Sequence, residues 1–316
     1  MSTTSTISTE TTAERPSSTK PLAEAKRQLW PYFLMLPTMA LIVAFTLYPL
    51  VQGLYMSLFK RGVVVLPQVP QTLPQFVGLD NFIGLIDNAD FRTSLLKTII
   101  FVVIAVPLNV IVSLALALLL QPQTKLFAFV RTVVFFPSMI SLLIIGITWR
   151  WLFGLNNGLV NYALSLAHIA PVPWLEQDTM AQIAVVVAWV WWQSGVNMMI
   201  FLSGLTAIST DYYEAASIDG TSKWRQFTHI TLPLLRPTMA VVVVLSSIEA
   251  FKVYELVVSL TGGGPGKATV YLIQTIYDTA FQLPMQAGMA AAQSAVLFVV
   301  LMVLAIVQLR LSRSRA

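Results

Sequence analysis

The chain has 316 residues, of which 56% are hydrophobic and only 10% charged, and its mean hydropathy is +0.75. A soluble domain carries about 25% charged residues, so a water-exposed globule is excluded and most of the surface must face lipid or other helices. The absence of cysteine removes disulfides, thiol catalysis and Cys-ligated metal sites, and the formal charge of +5 arises at helix ends rather than in one patch, which argues against nucleic acid as a partner.

Residues 1–28 predict a disordered cytoplasmic tail. The first twenty are rich in Ser and Thr with no apolar pattern, and such a segment cannot bury enough apolar surface to fold. It is not a signal peptide, because the first apolar run begins only near Tyr32 and is too long for a cleaved segment. Residues 29–316 predict one transmembrane domain. Six apolar runs follow one another at Tyr32–Leu54, Leu95–Leu120, Val133–Phe153, Ile183–Leu205, Pro237–Leu260 and Gly288–Leu309. Each is long enough to cross a ~30 Å hydrocarbon core as a single helix. Pro37, Pro49, Pro107 and Pro137 lie in or beside these runs and predict local kinks or breaks.

Six spans place both termini on one side. With the N terminus inside, the inner segments hold Arg15, Lys20, Lys26, Arg27, Lys125, Arg131, Lys223, Arg225, Arg236, Arg310, Arg313 and Arg315, twelve in all. The outer segments hold Lys60, Arg61, Arg92, Lys97, Arg150 and Lys267, six in all, and Lys252 falls within a span. That bias predicts both termini in the cytoplasm. Trp30, Trp149 and Trp151 fall near the predicted interfaces, where indole rings settle. Outer loop 61–94 carries Pro67, Pro70 and Pro74, and outer loop 261–287 opens on the turn-rich Thr261-Gly262-Gly263-Gly264-Pro265-Gly266.

Inner loop 206–236 carries the strongest signal. Asp211 followed by Glu214 predicts a capping box that opens a short helix. Gly220 permits a sharp turn, Ser222 caps a second helix through Trp224, Phe227 and Ile230, and Pro233 ends it. Such a hairpin cannot bury its own apolar residues. It packs on the inner ends of the membrane helices, on a partner protein, on both, or lies as an ordinary amphipathic hairpin at the membrane surface.

Glu214-Ala215-Ala216, three residues, Gly220, nine residues, Ile230, one residue and Leu232-Pro233 together resemble the EAA loop of binding-protein-dependent ABC importer permeases. Gly78-Leu79-Asp80-Asn81-Phe82, the residues Pro137, Trp149, Phe153, Gly158 and Asn161 around the third span, and Gly262-Gly263-Gly264-Pro265 resemble further marks of the sugar-type subfamily. That subfamily includes maltose, multiple-sugar, trehalose and glycerol-phosphate transporters. The chain departs from the maltose permease in lacking a long outer insertion and two extra N-terminal helices. It also has Gln193-Ser194-Gly195 where many relatives have Pro-Phe. The resemblance implies an all-α membrane protein with the six transmembrane helices of the type I ABC importer permease fold and a cytoplasmic EAA coupling hairpin. It implies a bacterial inner membrane, a second homologous permease subunit, two cytosolic ATPase subunits holding ATP and Mg, an external solute-binding protein and a sugar-like substrate. On the same ground Glu214, Ala215, Ala216, Gly220, Ile230, Leu232 and Pro233 are the ATPase-coupling residues, with Glu214 meeting a cationic group of the ATPase.

Two polar sets lie at membrane depth. Trp189, Gln193 and Asn197 follow at i, i+4, i+8 in the fourth span, one stripe of a helix. Glu249, Lys252 and Glu255 follow at i, i+3, i+6 in the fifth, predicting a second stripe. Ionisable groups are costly in lipid and should face a wet cavity or each other. Both sets are candidates for a substrate pathway in which indole faces stack on sugar rings and polar groups bond hydroxyls. Alternatively, Lys252 neutralised by two glutamates holds the bundle together. His168 and His229 are far apart in sequence, which argues against a His-built metal site or a catalytic pair. No phosphate-loop spacing occurs, so ATP is hydrolysed by another polypeptide and the chain needs no cofactor of its own. An ion-gradient-driven secondary transporter is the competing function. It would account for the intramembrane charges but not for the inner hairpin.

Overall fold

A computed structural model of the protein describes residues 34–60, 75–282 and 286–313. The expected tail over 1–28, Trp30, and Pro67, Pro70 and Pro74 of the first outer loop lie outside the described residues. The chain falls into two compact units, Met1–Gln52 and Gly53–Ala316. In the first, the described residues belong to helix α1, Leu34–Met56, whose last turn reaches the second unit. Pro49 has no N–H to offer the carbonyl of Phe45, and the turn Val43–Leu47 just before it opens to π spacing. The helix thereby continues through Pro49 with a local distortion rather than a break.

In the second unit, α2 (Asp80–Asp87) leads into α3 (Ala89–Leu119). The α3 helix starts well before the apolar run, because the Asn88 side chain accepts the Phe91 N–H at 2.9 Å and caps it. Of the kink or break expected at Pro107, the break does not occur: the proline lies inside α3. Packing of α3 along α7 and α10 holds the helix through the lost hydrogen bond. Asn81, expected within a loop motif, is buried and donates to the carbonyls of Ser57 (2.7 Å) and Phe59 (3.0 Å).

The third apolar run is not one straight helix. It consists of α4 (Lys125–Phe135) with a tight turn at Phe136–Met139, then α5 (Leu142–Leu152). The two parts are bent by 103°. Pro137 ends the first part and Ser141 starts the second by accepting the Leu143 N–H at 3.3 Å. Gly195 allows this bend to nestle against the fourth span: a Cβ there would lie 2.5 Å from the Val134 carbonyl oxygen. Glycine at position 195 thus has a steric reason.

Short α6 (Leu159–Leu166) precedes α7 (Asp178–Thr206), a continuous span. The hairpin helices α8 (Thr210–Ile218) and α9 (Lys223–Leu234) follow, and α9 meets α10 (Arg236–Phe251) at a 65° bend. The fifth run is therefore also interrupted. The α10 helix stops at Phe251, Lys252–Tyr254 form a break, and α11 covers Glu255–Leu260. The expected 24-residue single helix is replaced by two pieces whose ends carry the charges. Lys252 sits at the C-terminal end of α10 and Glu255 in the first turn of α11, each where the helix dipole favours its sign. The segment after α11 turns back into the protein as α12 (Leu272–Tyr277), continued by a π turn at Asp278–Gln282. The last span is α13 (Ala287–Arg313).

Among the described residues four helices are long and apolar enough to cross a membrane, or six if each of the two bent pairs is counted as one span. In the predicted topology, an outer core gathers Phe101, Trp189, Leu256 and Tyr271 from α3, α7, α11 and the α12 approach. An inner core gathers Met198, Phe201, Leu235 and Val242 from α7 and the α9–α10 junction.

Candidate functional site

The inner hairpin begins at Ser209, not at an Asp211 capping box. The Ser209 hydroxyl accepts the Asp211 N–H at 3.3 Å, and α8 runs from Thr210. Glu214 consequently stands in the second turn rather than at the cap, and it is exposed. Gly220 has φ +69, and the Thr221 N–H reaches the Ala216 carbonyl at 2.9 Å, closing α8 with a left-handed residue. Ser222 caps α9 as expected, accepting the Arg225 N–H at 3.4 Å. Pro233 does not end α9. The turn Phe227–Thr231 widens to π spacing ahead of it, the helix passes through Pro233, and the bend comes at Leu235. The wider turn accommodates the proline ring and its missing N–H.

Three residues that the sequence pattern did not single out hold the hairpin shut. The Tyr213 hydroxyl and Thr231 Oγ1 are 2.9 Å apart, and Gln226 Nε2 donates to Ser217 Oγ (3.1 Å) and to the Thr221 carbonyl (3.2 Å). Gln226 and Thr231 are buried. By contrast α8 buries no residue. Ile218 is 87% and Trp224 73% exposed, large apolar surfaces on a polar hairpin that is internally rigid. Ala215 is exposed and Ala216 half-buried, as are Ile230, Leu232 and Pro233 on the second arm. Phe227 packs on the inner core and stacks with Trp224, centroids 5.6 Å apart. His229 is exposed and its Nδ1 lies 2.8 Å from Thr228 Oγ1. His168 is exposed at the end of α6.

The two intramembrane sets occupy different environments. Trp189 and Asn197 have no exposed surface and Gln193 has 5%. Asn197 Nδ2 donates to Ser246 Oγ at 2.7 Å and also bonds Asn109 Oδ1. Asn109 Nδ2 in turn donates to the Val190 carbonyl at 3.2 Å. This chain of amides ties α3, α7 and α10 together inside the subunit. The Trp189 ring meets Phe101 edge to face at 5.7 Å. Among the described residues its Nε1 has no partner, nor do the amide atoms of buried Gln293 on α13. Glu249 and Lys252 instead reach the surface, with side chains 40% and 54% exposed and an Nζ–Oε1 distance of 3.1 Å. Glu255 is exposed across the break, and among the described residues Lys252 is paired with Glu249 alone. The expected stripe of three is an ion pair with a separate carboxylate. Among the described residues no group of three or more His, Asp or Glu side chains converges to hold a metal ion.

Residues 90–315 match the family described as "Binding-protein-dependent transport system inner membrane component". The chain is 34% identical over 284 residues to the trehalose/maltose transport system permease protein MalF of Thermococcus litoralis, covering 90% of this chain and 94% of that protein. It is 33% identical over 293 residues to the sn-glycerol-3-phosphate transport system permease protein UgpA of Agrobacterium fabrum, covering 91% and 96%. Its fold is similar to that of a chain in the crystal structure of a bacterial alginate ABC transporter in complex with an alginate pentasaccharide-bound periplasmic protein. There the TM-score is 0.79 at 24% identity, with 93% of this chain and 98% of the other covered.

Proposed function

The chain belongs to the binding-protein-dependent transport system inner membrane component family of ABC importer permeases, and from that membership we propose that it carries a sugar or sugar-like solute (a sugar, polyol or glycosyl-polyol) delivered by an external solute-binding protein. It is a membrane permease subunit and not an enzyme, and ATP hydrolysis resides on separate subunits. The sugar assignment takes support from the relatives, whose names specify trehalose/maltose and lactose systems.

Residues 29–316 form the permease domain in this reading, in a bacterial inner membrane with both termini in the cytoplasm. The partners are a second homologous permease and two cytosolic ATPases that bind ATP and Mg. Glu214, Ala215, Ala216, Gly220, Ile230, Leu232 and Pro233 belong to the hairpin that docks on one ATPase. The observation that carries this role is a hairpin braced from within yet presenting an unburied first helix. A rigid body with open surface transmits force from whatever grips it. The exposed face of α10, with Val241 and Leu245 below Glu249 and Lys252, fits the second permease and the solute path between the two. Glu249, Lys252 and Glu255 line that path, and Trp189, Gln193 and Asn197 form the wall behind it.

The test is copurification of the ATPase together with uptake. Glu214→Lys should leave the permease in the membrane at normal abundance while ATPase association and uptake fall. Unchanged association and uptake in that variant would remove the hairpin from the coupling role.

A further inference from the structure

The outer end of the second unit encloses a cavity of about 400 Å³ that belongs to neither polar set discussed above. Two helical stripes face each other across it. Asp90, Ser94 and Lys97 recur at i, i+4, i+7 on the first turns of α3, and Thr275, Thr279 and Gln282 recur at the same spacing on α12 and its π turn. Asp278 joins the second stripe, and Lys267 closes the cavity from the loop between α11 and α12. Facing helix surfaces in a membrane protein are ordinarily apolar or small, so two opposed polar stripes enclosing open volume need a reason. The opposite side of the same α12 segment shows the ordinary pattern: Tyr277 stacks on Tyr254 at 5.3 Å and on Phe281 at 4.8 Å.

The cavity is braced. Lys267 Nζ lies 2.8 and 2.9 Å from the two Asp90 oxygens, and Lys97 Nζ donates to the Lys267 carbonyl. Gln282 Nε2 donates to Asp278 Oδ1 at 2.8 Å. Burial raises the Asp278 carboxyl above its ordinary value. π turns recur at functional positions, and this one sets Asp278 and Gln282 side by side on the cavity wall.

We propose that this cavity is an entry subsite that holds a neutral polyhydroxylated solute at the outer mouth of the permease. Each hydroxyl both donates and accepts, and the walls supply both kinds of partner: ammonium and amide donors, carboxylate acceptors, and threonine hydroxyls that do either. Two lysines balance two aspartates, so no excess cation favours an anion such as a phosphate ester. A protein segment would seek a large apolar anchor, and Val270 is the one apolar side chain among the described lining residues. The volume lies within the range of small-molecule clefts. The assignment rests on the reading of the protein as a sugar-type importer.

The chain has no cysteine, which permits a direct test in the whole transporter reconstituted in proteoliposomes. Thr279→Cys places a thiol on the cavity wall, and Asn157→Cys provides an exposed control on the predicted outer side. Labelling by an impermeant thiol reagent is timed with maltose, trehalose, lactose or sorbitol and without binding protein. At about twice its dissociation constant a bound solute slows labelling about threefold, since the rate falls as 1 + [L]/Kd. The expected result is saturable protection at residue 279 by at least one of these, none at residue 157, and little by glycerol 3-phosphate. Asp278→Ala in the Thr279→Cys background should abolish the protection. Three outcomes overturn the assignment: no protection by any neutral solute, protection by glycerol 3-phosphate alone, or protection only by added unliganded binding protein, which would make the cavity a protein-docking pocket. Uptake by the cysteine-free parent separates the two levels of the argument. Parent uptake of a neutral solute with no protection sinks the subsite alone, whereas a parent that takes up none of the four sinks the sugar-type reading with it.

Discussion

The amide chain Asn109–Asn197–Ser246 and the hairpin Ser209–Leu234 are both polar, yet one is sealed and the other open. In the first, every named residue is buried and bonded to a different helix of the same subunit. In the second, the internal bonds are equally specific, but α8 buries nothing and two large apolar side chains stand in the open. Polar groups that find their partners within one chain act as fastenings. An internally satisfied element that still exposes Ile218 and Trp224 is shaped for something outside it. Substitutions in the two regions should therefore separate assembly from activity.

The largest effect is expected at the hairpin. A charge-assisted bond at a protein interface contributes roughly 1.5–3 kcal/mol, so Glu214→Lys should weaken ATPase association by about 10- to 100-fold, with like charges adding to the loss. Membrane abundance should stay at the parent level, because Glu214 makes no buried contact. Pull-down and uptake measured beside immunoblots of membranes would check this. Gly220→Val belongs with it: at φ +69 a β-branched residue is strained by about 1–2 kcal/mol, and the two arms should lose their alignment.

At the sealed site the order reverses. Asn197→Leu removes bonds to two helices and leaves Asn109 and Ser246 with fewer partners. Interhelical bonds in membranes are individually about 0.6–2 kcal/mol, so a loss of roughly 1–3 kcal/mol should appear as lower abundance and a lower unfolding midpoint in detergent. ATPase binding per folded molecule should be unchanged. Parent-level stability in Asn197→Leu would break the contrast on which the comparison stands.

The smallest stability effect belongs to Lys252→Met. An exposed ion pair contributes about 0–1 kcal/mol, so abundance should hold and adding Glu249→Gln should change it little. Uptake should fall in both variants if the pair lines the solute path, and parent-level uptake in both would remove it from that path. The handedness of the whole arrangement has its own check. A thiol introduced by Thr221→Cys should react with an impermeant reagent only after the inner face is opened, and labelling in intact cells would invert the topology.

The existence of the spans was legible because an apolar run of about 20 residues has few other uses. One interruption was expected, at Pro137, and the chain bends there by 103°; the break at Lys252–Tyr254 was not, because hydropathy does not register where a helix stops. Within Val133–Phe153, Pro137 and Ser141 hold the signal for a proline stop and a serine start, but both sit in continuous apolar sequence. Within Pro237–Leu260, Glu249, Lys252 and Glu255 look like one stripe only if the helix continues past Phe251. Charges matched in sign to the two helix ends were the available clue to the break. The hairpin's Gly220 and Ser222 could be read from turn and cap chemistry, while Tyr213, Gln226 and Thr231 could not, since their bonds join residues 5 to 18 positions apart across the turn. Asn109, one turn before Ser113, and Ser246, beside Ser247, were small polar interruptions of apolar runs. Such residues face the bundle interior, but which partner they meet depends on helix packing that no single run encodes.

The 65° bend between α9 and α10 makes the two helices a bell crank. Its pivot is Leu235, which has no exposed surface and is gripped by the inner core. The longer arm, Arg236–Phe251, extends about 24 Å at 1.5 Å per residue. A tilt of about 10° at the pivot would swing its far end, which carries the Glu249–Lys252 pair, through roughly 4 Å. If the hairpin is the ATPase dock, as proposed, a small push on it would be carried to the opposite end of this arm. The amide fastening at Ser246 lies between pivot and tip, where it must either move with the arm or hold it back.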